Sequence, residues 1–526
     1  LGAVVVIKTP ITCGDPKSIV DAVPAEVRKE NIRVNNNPGA SGKQMETELR
    51  ALGNYLHSLP NRPIGIIEKP IDNKPDVPIV INPWATRERV LRMSGCKDKD
   101  ELCRKFNELK TNLIKPKVVS KKNAPVKEVV ITEDKIDLYK DAPRLWVEFE
   151  TTPWSGAGGC VWIVYDPETG THDLGEWRGA FFEWDNGDPN QLFPEERRKK
   201  YALVTIVYLG TNISDGGRFF RDRYRNLNKP MPAAFAVAND PALHVVASSR
   251  TPLTWPDDGI DEYAATGGFR GEPVEVVESE TIPGLMVPAN SEWVFEGEIL
   301  PAGDYVMPAW SEGVYPGYMD GGNLVPVFRI KCITHRKNPL WCVTWSQNGL
   351  SHEGPHSGLL QVYAETEAIN YLRQNGYDVR DVVSYDCETV VVQTNVDGAE
   401  KTPHYGKVLL NCLYGCPNMF IGCGNKYYIA VGPDINPYDL RDVIWALNLR
   451  AQPVSDSIVI EKGLCSWGDI SATGRGPRGR PQYGEQMLID ALVKVPERML
   501  QYATRTDPVS WSKEAIKRIE KKIGRK

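Results

Sequence analysis

The chain has 526 residues, of which 41% are hydrophobic and 25% charged, with a formal net charge of −5. This is the composition of a folded globular protein of roughly three or four domains, not of a disordered or fibrous chain. The mildly acidic balance argues against bulk binding to nucleic acid. No apolar run reaches the ~18 residues of a membrane span, so none is expected. Eleven cysteines without a CxxC pair read as reduced thiols of a cytoplasmic protein.

The opening residues 1–8 read as a strand and lack a signal-peptide layout. Ser41-Gly-Lys-Gln44 has the form of a capping box, and Met45, Leu49, Leu52, Leu56 and Leu59 follow at helical spacing. Residues 64–67 and 77–81 are short apolar strands. A basic, proline-punctuated stretch over 115–127 reads as a linker. Residues 1–122 are therefore expected to form an N-terminal α/β region.

From 123 to 338 the character is β-rich. Strand-like runs recur at 147–151, 161–165, 203–207, 233–237, 243–247, 274–277, 293–299 and 325–334, separated by turns rich in Gly, Pro and Asp. Such spacing predicts an antiparallel barrel or sandwich. Helix–strand alternation then returns over 339–500, with a helix over 365–375 stopped by Gly376, strands at 390–396 and 427–431, and a helix over 440–449. Residues 501–526 hold a basic terminal helix, whose Ile516, Ile519 and Ile523 predict a docked apolar face. The fold class is mixed α+β and α/β, in several domains.

The segment from Asp166 to Arg178 combines a tight Asp-Pro-Glu-Thr-Gly turn with an oxygen donor (Asp173), a glycine (Gly175) and a cation suited to phosphate or carboxylate (Arg178). Ser248, Ser249 and Arg250 close the strand expected over 243–247. Glu262 lies at the start of a predicted helix, where a carboxylate complements the helix dipole and, with Asp173, can hold a hard cation. Gly474-Arg-Gly-Pro-Arg-Gly479 fits a dinucleotide-loop pattern in letters only, because no apolar strand precedes it and Pro477 sits inside it. His352 and His356 are separated by Gly354-Pro355 and cannot share a helical face as a zinc pair; a loop facing a cleft is the alternative. Trp310, Trp341 and Trp345 are candidates for a flat aromatic pocket or for core packing.

Six collinear blocks resemble the UbiD family of reversible decarboxylases. They are Asp166–Arg178, Asp261-Glu-Tyr-Ala-Ala-Thr-Gly-Gly-Phe-Arg-Gly271, Val287-Pro-Ala-Asn-Ser-Glu-Trp-Val-Phe-Glu-Gly297, Tyr315-Pro-Gly-Tyr318 with Ile333-Thr-His-Arg336, Val431-Gly-Pro-Asp-Ile435 with Arg441–Ala446, and Met487–Ala491. The resemblance implies a flavin-reductase-like split β-barrel that binds prenylated FMN through a divalent metal, usually Mn2+, and K+. It also implies a homodimer or higher homo-oligomer, with an aromatic acid and CO2 as reactants and a flavin prenyltransferase as cofactor supplier.

By the same resemblance, Asp173 and Glu262 stand at metal-ligand positions and Arg178 at the arginine of the catalytic acid–arginine network. Gly175, Trp177, Ser248, Ser249 and Arg250 lie in segments that line the cofactor. The chain departs from the family at several points. Asp173 replaces an asparagine, and Ser214-Asp-Gly-Gly217 holds no histidine where the family has a ligand. Ala309 and Val314 fall at the two catalytic glutamates, leaving Glu312 as the nearby carboxylate. These departures point to a divergent subgroup acting on an aromatic acid that is polycyclic or lacks a ring hydroxyl. A non-catalytic subunit of a carboxylase complex and an FMN oxidoreductase are the alternatives.

Overall fold

The computed structural model describes residues 4–12, 48–71, 76–143, 160–181, 204–208, 215–249, 255–301, 305–306, 310–311, 319–320, 324–343, 357–385, 389–401, 404–416, 426–463, 471, 473–475, 481–494 and 513–524. The expected strand over 147–151, the capping box at 41–44, His352, His356, Trp345 and residues 476–479 lie outside them.

The N-terminal region contains strand β1 (Val4–Ile7), helix α1 (Glu48–Ser58), β2 (Ile64–Ile67) and β3 (Ile79–Ile81). Helices α2 (Arg87–Met93) and α3 (Lys99–Asn107) follow. Thr86 and Asp98 cap these two by accepting the backbone N–H of Arg89 and Glu101, which satisfies donors that the first turn leaves unpaired. The basic stretch over 115–127 is not a free linker. Lys117 and Val119 donate backbone N–H groups to Val274 and Val276 (2.8 and 2.9 Å), and buried Lys127 pairs with buried Glu296 (2.6 Å).

The β-rich region comprises β4 (Val129–Thr132), β5 (Cys160–Asp166), β6 (Thr171–Gly175), β7 (Arg178–Phe181), β8 (Val204–Tyr208), β9 (Met231–Val237), β10 (Trp293–Ile299) and β11 (Val327–His335). They pair antiparallel in the order β7-β8-β11-β10-β9-β5-β6, with β4 on β11. Both faces are covered, which explains the continuous apolar runs. Cys160, Trp162 and Val164 enter one core with Phe235, Phe295 and Phe328, while Val161 and Ile163 enter a second with Leu174, Tyr263 and Val276.

The sheet order begins at β7 and ends at β6, yet only Glu176 and Trp177 separate these strands in the chain. The end of β6 and the start of β7 therefore lie two residues apart in the chain although they stand at opposite ends of the sheet order. No ladder closes β6 onto β7 among the described residues.

Three helices pack beside this sheet: α4 (Asp215–Phe219), α5 (Pro241–Ser248) and α6 (Glu262–Arg270). Helix α5 corrects the strand expected over 243–247. Asp240 accepts the Ala242 N–H (2.9 Å) and Pro241 occupies the first turn, a start signal that outweighs the β-branched Val245-Val246 pair. Trp341–Val343 (β12) then returns to pair with β3 in the N-terminal sheet. Trp341 packs edge-on against Trp293 at 5.7 Å in the core.

Helix α7 (Ser357–Gln374) leads into a further sheet. Its strands are β13 (Val379–Tyr385), β14 (Thr389–Thr394), β15 (Tyr427–Val431), β16 (Ser457–Gly463) and β17 (Pro481–Ala491). They run in the order β13-β14-β15-β17-β16, with the β14-β15-β17 core parallel. Helices α8 (Tyr405–Tyr414) and α9 (Leu440–Arg450) accompany them. The basic helix α10 (Lys513–Lys522) departs from expectation, because Ile516, Ile519 and Ile523 are all exposed rather than docked. Among the described residues, no helix is long and apolar enough to cross a membrane.

Candidate active site

The site is built around the β5–β6 hairpin. Gly170, at φ +76°, completes the tight turn, and Asp166 accepts from the Glu168 N–H and the Thr169 hydroxyl. The register sets Asp173 opposite Val164 and Gly175 opposite Trp162, so Asp173 shares the inner face of the sheet with Trp162 and Trp177. His172 and Leu174 face the other way.

Asp173 and Glu262 meet across the β6–α6 contact. Both are buried, and Glu262 accepts the Leu174 N–H through Oε2 at 2.6 Å. Burial pushes the Asp173 carboxyl up to about 7, against the opposing influence of the Gly216 N–H and the Arg218 guanidinium. Burial, and then the charge of Asp173, raise Glu262 well above the usual carboxylate range. Asp173 Oδ2 is buried without a hydrogen-bond partner. Two inward hard-oxygen donors, one with an orphaned oxygen and each repelling the other when ionised, form a donor set that fits a divalent cation.

No third His, Cys, Asp or Glu joins them among the described residues. Gly216 lies in the segment 214–217, near which the resemblance places a histidine, and a Cβ there would fall 2.5 Å from both Asp173 Oδ2 and the Trp177 ring. A Cβ on Gly175 would lie 2.2 Å from that ring. The two glycines let Trp177 pack flat against the corner, while the Trp177 carbonyl accepts from Trp162 Nε1 at 2.8 Å.

Four polar residues complete the site. Nothing in their spacing singles out His172, Glu176, His244 or Asp261, although the resemblance blocks contain all but His244. His172 is not a metal ligand here. Its Nε2 accepts the Met286 N–H (3.0 Å), so its proton sits on Nδ1 and donates to Asp261 Oδ2 (2.8 Å). Asp261 also caps α6 by accepting the Tyr263 N–H at 2.9 Å. His172 and Asp261 thus fix their chain neighbours, Asp173 and Glu262. Glu176, on the corner, accepts the Ser248 hydroxyl and lies 3.7 Å from His244 Nδ1.

The structure brings together Asp173, Gly175, Trp177, Ser248 and Glu262. Arg178 opens β7 opposite Tyr208, two residues beyond Glu176. Ser249 turns its hydroxyl back to the Val246 carbonyl (2.8 Å) and serves the end of α5. Arg250 and Glu312 lie outside the described residues.

Residues 117–348 match the 3-octaprenyl-4-hydroxybenzoate carboxy-lyase Rift-related domain, and residues 359–491 match the C-terminal domain of the same carboxy-lyases, together well over half of the chain. A curated but uncharacterised protein of Synechocystis sp. is 26% identical over 384 residues, spanning 71% of this chain and 66% of its own length, just under two thirds. The vanillic acid decarboxylase of Sedimentibacter hydroxybenzoicus in its open form superposes with a TM-score of 0.72 at 21% identity, over 99% of this chain and 96% of its own. An evolved dimeric form of the UbiD-class enzyme HmfF from Pelotomaculum thermopropionicum, in complex with prFMN, gives 0.67 at 22% identity over 88% and 91%. These likenesses establish the fold.

Proposed function

The chain belongs to the UbiD family of carboxy-lyases, and from that premise we propose that it catalyses reversible, non-oxidative decarboxylation of an aromatic carboxylic acid with prenylated FMN. The observation that carries this reading is the buried Asp173–Glu262 pair on the inner face of the β-rich region. Residues 123–338 would be a split barrel closing at the Glu176–Trp177 corner and holding the flavin, with 339–500 as the flanking α/β domain.

Asp173 and Glu262 would hold Mn2+, or another divalent ion, which would supply positive charge for binding the flavin, and K+ would be a further cofactor ion. Gly175, Trp177, Ser248, Ser249 and Arg250 would line the flavin. When bound, the prenylated flavin supplies the electron sink for the charge left on the ring carbon as CO2 departs. Arg178 would bind the substrate carboxylate and orient it, since a guanidinium matches a carboxylate in a bidentate fork. Glu312 would be the proton donor, and the apolar walls around Trp162 and Trp177 would exclude water. The protein would work as a homo-oligomer in the cytoplasm, where its free cysteines stay reduced.

The test is to co-express the chain with a flavin prenyltransferase, purify it without oxygen, and take the mass spectrum of the extracted cofactor before measuring 14CO2 exchange into arene acids. Prenylated flavin with exchange is expected. Plain FMN bleached by NAD(P)H would replace the reading with an oxidoreductase. A colourless, metal-free protein would make it a non-catalytic subunit. Exchange confined to phenolic acids would remove the preference for rings without a hydroxyl.

A further inference from the structure

Helix α5 carries His244 and Ser248 four residues apart, on one face. That face meets the corner between β6 and β7. The Ser248 hydroxyl donates to Glu176 Oε2, the Glu176 N–H donates to the Ala247 carbonyl (3.3 Å), and Glu176 Oε1 lies 3.7 Å from His244 Nδ1. The side chains of His244 and Glu176 are only 4% and 6% exposed, and the Trp84 ring covers His244 at 5.6 Å. Evolution of a structural core alone does not call for a carboxylate, an imidazole and a hydroxyl in one water-poor pocket, because each must be desolvated there. Glu176 is three residues from Asp173 and two from Arg178, in the link that joins the ends of the sheet.

We propose that Glu176, His244 and Ser248 form a buried carboxylate–imidazole–hydroxyl relay that holds and reloads the proton exchanged with the substrate carbon. The proposal rests on the decarboxylase reading. Decarboxylation breaks the ring C–COO bond, releases CO2 and leaves one electron pair that must end in a C–H bond. The proton that Glu312 gives to the ring carbon is replaced from Glu176 Oε1–H, which leaves the Glu176 carboxylate. His244 Nδ1–H then donates to Oε1, the N–H pair stays on nitrogen, and the imidazolium becomes neutral imidazole, to be recharged from solvent. Carboxylation runs the same transfers backward. Ser248 fixes the carboxyl rotamer so that Oε1 faces His244.

Among the described residues, the Cys160 thiol of β5 and the Tyr363 phenol of α7 also face the pair. Burial first, and then the charge of Glu176, raise both. Both therefore stay neutral at working pH.

Two measurements test the relay. With histidines labelled at Cε1, the resonance lost in His244→Gln identifies His244. That resonance should change its chemical shift in Glu176→Gln, which alters the group 3.7 Å from Nδ1; an unchanged resonance overturns the pairing. In the flavin-loaded enzyme, solvent deuterium incorporation at the ring carbon should fall ~100-fold in Glu176→Gln, the scale of general acid–base catalysis. Glu176→Asp should restore part of that rate, and His244→Gln should move its pH profile. An equal loss in both Glu176 variants with an unmoved profile overturns the relay and leaves a packing role. If the wild type exchanges label with no arene acid, the decarboxylase reading fails, while the His244 resonance in Glu176→Gln still decides whether the pair exists.

Discussion

Asp173 and Glu262 tie the stability of the protein to pH in a direction opposite to that of ordinary carboxylates. Burial holds both protonated, so between about pH 4, the ordinary carboxylate range, and about 7, where Asp173 titrates, the folded protein binds more protons than the unfolded chain. Their contribution is complete below the unfolded value and lost as pH rises through the folded one. A divalent cation needs the carboxylates, so its stabilisation grows with pH. After chelation, the melting temperature should fall between pH 5 and pH 8, and the rise caused by added MnCl2 should be larger at pH 8. A manganese effect of equal size at both pH values would rule the pair out as the metal site. Asp173→Asn should raise the chelated protein's melting temperature at pH 8 and shrink the manganese increment.

Gly216→Ala tests the same corner by sterics. Its Cβ would meet Asp173 Oδ2 and the Trp177 ring at 2.5 Å, so about 1–3 kcal/mol of stability should be lost. Manganese binding should weaken with it, as read by the increment in melting temperature. Wild-type values for both would mean that the corner yields freely.

At the scale of elements, the strands with turn signals at both ends were legible. The ranges 293–299 and 427–431 match β10 and β15 residue for residue, and 161–165 lies within β5. Helix α5 was not, because an eight-residue segment with Val245 and Val246 offers too few turns for helical periodicity to show. That single misreading also hid the second half of the site, since His244 and Ser248 share a face only on a helix. Asp173 and Glu262 could be found by matching blocks. The lock on them by His172 and Asp261 depends on strand alternation and a tautomer, which spacing does not reveal.

One joint between elements carries its own prediction. Glu365 of α7 is fully buried and takes Arg87 of α2 (2.9 Å) and Lys99 of α3 (2.9 Å), while its Oε1 accepts the Ser384 N–H of β13 (2.8 Å). Burial would raise this carboxyl, but Lys99 and Arg87 outweigh burial and hold it below its usual range. Glu365→Ala strips the anion from two largely buried cations and should cost about 3–5 kcal/mol in urea unfolding. Glu365→Gln, which retains the acceptor for the Ser384 N–H, should cost less. Equal losses would mean that volume, not charge, is what the joint requires.

At the scale of the whole molecule, the regions do not fold as separate beads. One hydrophobic cluster takes Trp84, Val90, Leu102 and Phe106 from the N-terminal region, Ala242, Val245 and Phe269 from the helices beside the β-rich sheet, and Leu359, Val362 and Tyr363 from α7. Phe106 stands at its centre, edge-on to Phe269 at 6.1 Å and tilted against Tyr363 at 5.5 Å. Trp84 and Tyr363 also border the Glu176–His244 pocket, so the packing that unites the regions is continuous with the walls of the site. Removing a buried phenyl ring costs about 3–5 kcal/mol, because neighbours collapse only partly into the cavity. In Phe106→Ala that loss falls on the contacts between regions and leaves each sheet's own core intact. Calorimetry should therefore show a single transition in the wild type, and in Phe106→Ala separate transitions for the C-terminal α/β unit and the β-rich unit. The His244 ring resonance should move as the Trp84 ring, 5.6 Å away, loosens. A single transition, lowered but undivided, would mean that the β12–β3 pairing and the Glu365 joint hold the regions together without this cluster.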